Sequence, residues 1–186
     1  ACFIEEKPEN LAYILCLGAE IAQQLLEDKL AEKYLEMLKG FESGDALISI
    51  SNFIRNCNAE PANIEKYNNE LLDDYIELGK PIEIAEQLYR NLNPQELSSA
   101  AKVIELADDL MSVHDLHEHD YLRLAHALIT KNEFAKALAL ADKHIDKEKF
   151  DPNWHIIKVV CLQGTGKPGL AYNEIKASLD ENRFST

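Results

Sequence analysis

The stretch Tyr121 to Ile145, YLRLAHALITKNEFAKALALADKHI, decides how the rest of the chain is read. Tyr121, Leu124, Ala125 and Leu128 fall at i, i+3, i+4 and i+7, one apolar stripe of a helix with a 3.6-residue period. Thr130-Lys131-Asn132-Glu133 breaks that stripe with polar residues, and a second runs through Phe134, Ala137, Leu138 and Ala141. Small side chains at Ala135, Ala137, Ala139 and Ala141 let another helix pack close. Two stripes joined by so short a break predict an αα-hairpin.

The same rhythm extends in both directions. Pro8 stands at a first-turn position, and Leu11, Ile14, Leu15, Gly18, Ile21, Ala22 and Leu25 predict the buried stripe of a first helix of about 18 residues. Leu30, Tyr34, Leu35 and Leu38 continue in a second helix that Gly40 is expected to stop. A third opens at Ser43-Gly44-Asp45 and carries Leu47, Ile50, Phe53 and Ile54, ending near Asn58; a fourth starts at Pro61 and stops at Gly79. Lys80-Pro81 opens a fifth, through Ile84, Ala85, Leu88, Tyr89 and Leu92. Asn93-Pro94-Gln95-Glu96 reads as N-cap, N1 and N3 of a sixth helix, with the Glu96 carboxylate reaching back to the cap. That helix should run through Leu97, Ala100, Ala101, Ile104, Ala107 and Leu110. Beyond the opening stretch, Asp151-Pro152 caps a helix with Trp154, Ile157 and Cys161, and a last helix carries Leu170, Ala171, Ile175 and Leu179. No segment alternates as a strand would, so the chain is expected to be all-α, about ten helices in five pairs.

Bulk properties bound the function. No apolar run reaches the 18 or more residues of a membrane span, and ACFIEEKPEN lacks the pattern of a signal peptide, so a cytoplasmic setting is the expectation. A chain beginning at Ala1 is also readable as a segment of a longer protein. The net charge of -14 argues against nucleic acid and anionic membrane as partners and is compatible with a basic protein partner. The acidity is uneven: residues 1–93 hold 8 Lys and Arg against 18 Asp and Glu, whereas residues 94–186 hold 11 against 15. Cys2, Cys16, Cys57 and Cys161 form no C-x-x-C pair and are expected to be plain buried or part-buried thiols.

Ala100, Ala137 and Ala171 recur on second helices at separations of 37 and 34 residues, a period of helical-repeat solenoids. At these positions the chain resembles the tetratricopeptide-repeat family. Tyr121, Leu124, Ala125, Leu128, Phe134, Ala137 and Ala141 match its places in type, with Leu128 where the family usually has an aromatic and Asn132 where it has a turn glycine. Trp154, Ile157 and Ala171 match in the next pair, with Lys158 in the small slot and one extra residue in the turn; Ala85, Leu88, Tyr89, Leu97, Ala100 and Ala107 match in the preceding one with a shorter turn. The likeness covers residues 81–180, and residues 1–79 keep only the helix-pair rhythm. It implies a single helical-repeat domain, a right-handed α-solenoid of about five antiparallel hairpins, with divergent pairs over 1–79 and repeats over 80–186. It also implies a concave groove that takes an extended peptide or a helix of a partner. The inner positions of that groove would be Glu83, Glu86, Arg90, His119, Leu122, His126, His155, Val159 and Leu162, of which Glu83, Glu86, Arg90, His119, Leu122, His126 and His155 are the candidate contacts. One Arg among two Glu and three His does not reproduce the carboxylate clamp by which some members hold chaperone tails.

Three other patterns touch on chemistry. HDLHEHD puts His114, His117 and His119 beside Asp115, Glu118 and Asp120, which reads as a polar linker, a histidine-tuned groove or a metal site. If His119, His126 and His155 line the groove, binding should change between about pH 5.5 and 7.5. Gly164-Thr165-Gly166-Lys167-Pro168-Gly169 spells G-x-G-x-x-G, but a helix precedes it and Pro168 stands where a P-loop needs Ser or Thr, so a helix-to-helix turn is expected. Asp73-Asp74 and Asp108-Asp109 read as solvated helix positions.

The expectation is a non-enzymatic protein-interaction scaffold without a cofactor, in the setting of a bacterial signalling or regulatory protein. The alternatives are a homo-dimerisation domain and a metal-binding protein or metal-dependent hydrolase built on His114 to Asp120.

Overall fold

A computed structural model describes residues 8–145 and 151–180, and within them the chain is all-helical. Cys2 and the side chain of Leu179 lie outside the described residues. The helices are α1 (Pro8–Gln24), α2 (Asp28–Leu38), α3 (Gly44–Ala59), α4 (Ile64–Glu77), α5 (Ile82–Asn91), α6 (Leu97–Met111), α7 (Glu118–Thr130), α8 (Phe134–His144), α9 (Pro152–Gly164) and α10 (Pro168–Asp180), with a 3-10 turn at Pro61–Asn63. No helix among the described residues is long and apolar enough to cross a membrane. Compact packing divides the chain into two units, 1–91 and 92–186.

In the first unit α1 packs on α2 and α3, and α3 also meets α4 and α5. Tyr75, Tyr89, Leu38, Leu47, Leu71, Ile84 and Leu88 are its largest fully enclosed side chains. The expected buried stripe of α1 is not the one observed. Ala12, Leu15, Cys16, Ala19 and Ala22 face inward, whereas Ile14, Leu17, Ile21 and Leu25 face out. The physical reason is close approach: the alanine face and Gly18, whose Cα side meets the Tyr34 ring, admit α2 and α3 at short range, which the bulky face cannot. Because α1 is apolar nearly all round, its periodicity allows either face.

Four helices, α1, α4, α7 and α9, end on one device. Glu133 N–H donates to Leu128 O at 2.8 Å and Asn132 N–H to Ile129 O at 2.9 Å, with Asn132 at φ +60°, which is a Schellman cap. Gly166 after α9 (φ +72°) and Gly79 after α4 (φ +78°) repeat it. So does Leu26 after α1, at φ +60° without a glycine. Gly40 does not: α2 ends through Lys39 in right-handed geometry. The position that requires glycine is Gly44, where a Cβ would come within 2.0 Å of the Leu38 carbonyl oxygen.

The expected start of α6 is also displaced. Asn93 Oδ1 accepts from Gln95 N–H at 3.0 Å and its amide donates to Glu96 Oε1 at 3.1 Å, but these close a turn of their own. Glu96 is extended (ψ 129°), α6 begins at Leu97, and the buried face is Ala100, Val103, Leu106, Ala107 and Leu110, with Leu97 and Ala101 exposed. Asn93 satisfies the nearer donors first, so the cap signal marks a turn before the helix.

In the second unit each helix packs on the next, α6 on α7 through to α9 on α10, and α7 also meets α9. Trp154, Ile157 and Cys161 of α9 are buried as Leu124 and Leu128 of α7 are. Phe134 lies over Gly164, where a Cβ would stand 2.7 Å from the ring.

Candidate partner-binding cleft

α9 turns two faces to its surroundings. Trp154 points toward α8, its indole stacked on the His144 imidazole at 4.8 Å and 17°, and His144 lies 4.4 Å from the Tyr121 ring of α7. The opposite face, with α10, forms a cleft of about 280 Å³ lined by Pro152, His155, Ile156, Val159, Val160, Ile175 and Ser178. The lining is almost wholly apolar, and Ile156, Val160 and Ile175 remain open to solvent.

A polar network stands beside the cleft. His155 Nδ1 is 2.7 Å from Glu174 Oε1, and the other carboxylate oxygen of Glu174 is 3.2 Å from Lys158 Nζ, which also reaches Asp142 of α8 at 3.0 Å. His155, Lys158 and Glu174 are largely enclosed, while Asp142 is about half exposed. Burial pulls the Lys158 ammonium down, but Asp142 and Glu174 outweigh it and hold the group above the usual lysine range. The arrangement accounts for a largely enclosed lysine on α9: carboxylates sixteen residues before and after it supply the compensating charge.

Ser178 Oγ lies 3.4 Å from His155 Nδ1, the nitrogen that Glu174 already engages. A serine–histidine–acid relay needs the hydroxyl and the acid on different ring nitrogens. The geometry therefore makes Ser178 a lining residue and not an activated nucleophile.

The sequence-predicted contacts fall into two sets. His119, Leu122 and His126 follow one another along α7, and His155 stands on α9, which α7 touches. Burial lowers the affinity of His126 for a proton. Of the inner positions, His155 and Val159 line the cleft. Glu83, Glu86 and Arg90 belong to α5 in the first unit, where Arg90 Nη2 is 3.2 Å from Glu86 Oε2. The Tyr13 hydroxyl of α1 is held above its ordinary pKa by burial and then by Glu83 and Glu86, with Arg90 opposing. Glu83 also borders an acidic depression of about 450 Å³ with Glu42 and Asp45. Periodicity missed Ile156, Val160 and Glu174, although Lys158 among apolar neighbours is a signal that a counter-charge must be near.

The HDLHEHD segment is divided between a connector and the first turn of α7, which begins at Glu118. Among the described residues no three His, Cys, Asp or Glu side chains converge as metal ligands would. Cys16 and Cys161 are buried free thiols whose pKa burial pushes up to about 11, and Cys57 is part-buried and also raised. At neutral pH the thiol forms of Cys16 and Cys161 predominate, which makes poor nucleophiles and ligands. Gly164 to Gly169 is the turn from α9 to α10.

The chain matches no family model, no curated protein and no solved structure.

Proposed function

We propose that this chain is a protein-interaction scaffold, a right-handed α-solenoid of antiparallel hairpins akin to tetratricopeptide repeats, whose second unit receives a helix of a partner protein in the α9–α10 cleft. The observation that carries this reading is the apolar lining of that cleft, with Ile156, Val160 and Ile175 left open to solvent. The shape of the occupant is argued from the chain itself. α9 lies against α8 and α7, and His144 of α8 contacts Trp154 of α9. Ser178 and Ile175 follow His144 and Ala141 at the repeat interval of 34 residues and line the cleft. The cleft thus corresponds to the seat that α9 itself takes one repeat earlier, and a helix is what fits such a seat.

Recognition would be by apolar anchors at i, i+3 or i+4 and i+7 on the partner. His155 and Lys158 are engaged by Glu174, so the cleft offers shape and apolar surface more than charge. Basic residues flanking the partner's apolar stripe would speed association with a chain of net charge -14.

Selection of ligands from an unbiased library of helical peptides tests the reading. Selected peptides should carry that apolar spacing and bind Val160→Asp and Ile156→Asp at least about tenfold more weakly than wild type, with circular dichroism unchanged. Ligands that bind both variants as well as wild type place recognition elsewhere.

A further inference from the structure

The outward face of α1 is the most unusual surface of the first unit. A surface helix ordinarily buries its large apolar side chains and exposes small or polar ones. Here Ala12, Ala19 and Ala22 are buried, whereas Tyr13, Ile14, Leu17, Ile21 and Leu25 expose between 47% and 69% of their surface. Ile14, Leu17 and Ile21 stand at i, i+3 and i+7, the a/d spacing of a helix seam, and Leu25, four residues further, flanks that seam. We propose that this face of α1 is a self-association surface, on which the α1 helix of a second copy of the chain packs about a two-fold axis.

Charge selects the second copy over other occupants. On α1 itself the only ionisable carboxylate or cation between Leu11 and Leu26 is Glu20. It is turned toward Cys16, whose Sγ donates to it at 3.8 Å, and is part-buried. The charges that reach the face from α5, Glu83, Glu86 and Arg90, lie at its Tyr13 end, where Arg90 is paired with Glu86 at 3.2 Å. Two chains of net charge -14 repel across most of their surface, so a copy can approach a copy only through a neutral patch. A basic partner would be drawn to the acidic surface instead. An anionic membrane needs Lys and Arg at the rim of the apolar stripe; α1 has none from Leu11 to Leu26, and the Arg90 of α5 that reaches Tyr13 is paired with Glu86 and accompanied by Glu83.

Area agrees. Five side chains each presenting on the order of 100 Å² amount to about 500 Å² per copy and about 1,000 Å² for a pair, the lower bound for a specific interface. A seam of this spacing is also self-complementary, as an isologous contact requires.

Sedimentation equilibrium of the full chain decides the matter. The wild type should approach twice its 21.0 kDa mass at tens of micromolar, and association should strengthen as salt rises and screens the repulsion. Leu17→Glu combined with Ile21→Glu should be monomeric, with a dissociation constant raised at least about 100-fold, and Leu17→Gln combined with Ile21→Gln should fall between. Because these side chains project outward, the melting temperature of each variant's monomer should match that of wild type at high dilution. A wild type that stays monomeric to about 200 µM, a dimer that survives the double Glu substitution, or association weakened by salt would each overturn the proposal.

Discussion

His144 and Trp154 stack at 4.8 Å with their rings 17° from parallel, and the imidazole Nε2 and the indole N–H are both buried without a hydrogen-bond partner among the described residues. The contact joins α8 to α9 through a titratable ring that the surroundings prefer neutral. Burial lowers the pKa of His144, Lys143 lowers it further, and Glu118 opposes them.

The consequence is acid sensitivity of the second unit. A histidine whose folded pKa lies below its unfolded value of about 6.5 adds no pH dependence above that value. Below it the unfolded chain takes up a proton that the folded chain refuses, so stability falls with pH until the folded pKa is passed. His126, also lowered by burial, acts in the same direction. His144→Phe keeps a ring in the stack and removes the proton site. The wild-type melting temperature should therefore drop relative to that of His144→Phe between about pH 6.5 and 5, and the two should run parallel above pH 7. Curves parallel throughout would refute the assignment.

Glu174 engages Lys158 and the His155 ring at once, so it should matter more than Asp142. Glu174→Ala leaves Lys158 enclosed without its nearer-buried carboxylate and should cost about 2 kcal/mol, less than a fully buried pair because Lys158 keeps some solvent contact. Asp142→Ala removes a half-exposed partner and should cost under about 0.5 kcal/mol. Urea unfolding compares them, and equal losses would mean that the network does not share charge as described.

Leu26 adopts φ +60° at the end of α1 and projects into solvent. Leu26→Gly should stabilise the chain by about 1 kcal/mol, since a left-handed conformation costs a side-chain-bearing residue about that much. Gly166→Ala, at φ +72°, should lose about 1 kcal/mol for the converse reason. Thermal melts of the two variants should move in opposite directions.

Two further glycines separate steric from conformational roles. At Gly44 a Cβ would stand 2.0 Å from a backbone oxygen, so Gly44→Ala should cost more than about 2 kcal/mol or prevent folding. At Gly169, in the first turn of α10, a Cβ meets nothing within 4 Å, and Gly169→Ala should stabilise by about 0.5 kcal/mol. A tolerated Gly44→Ala would show that the α2–α3 connection is looser than described.

Sequence alone determined the helices and most of their ends. Stripes spaced at 3.6 residues placed Ile84, Ala85, Leu88 and Tyr89, and Leu124, Ala125 and Leu128, inside, where they are buried. Asn132 was legible as a glycine substitute because asparagine tolerates positive φ, which it adopts. These are local properties, carried by side-chain period and backbone sterics. Tertiary structure decided what depends on neighbours. In α1 both faces are apolar, and only the close approach of α2 and α3 to Ala12, Ala19 and Ala22 turns the large residues outward. Glu174 and Lys158 are sixteen residues apart with no local periodicity to pair them, and the packing of α9 on α10 brings them to 3.2 Å. The cleft of Ile156, Val160 and Ile175 has the same origin, since a concavity belongs to two helices and to neither sequence separately.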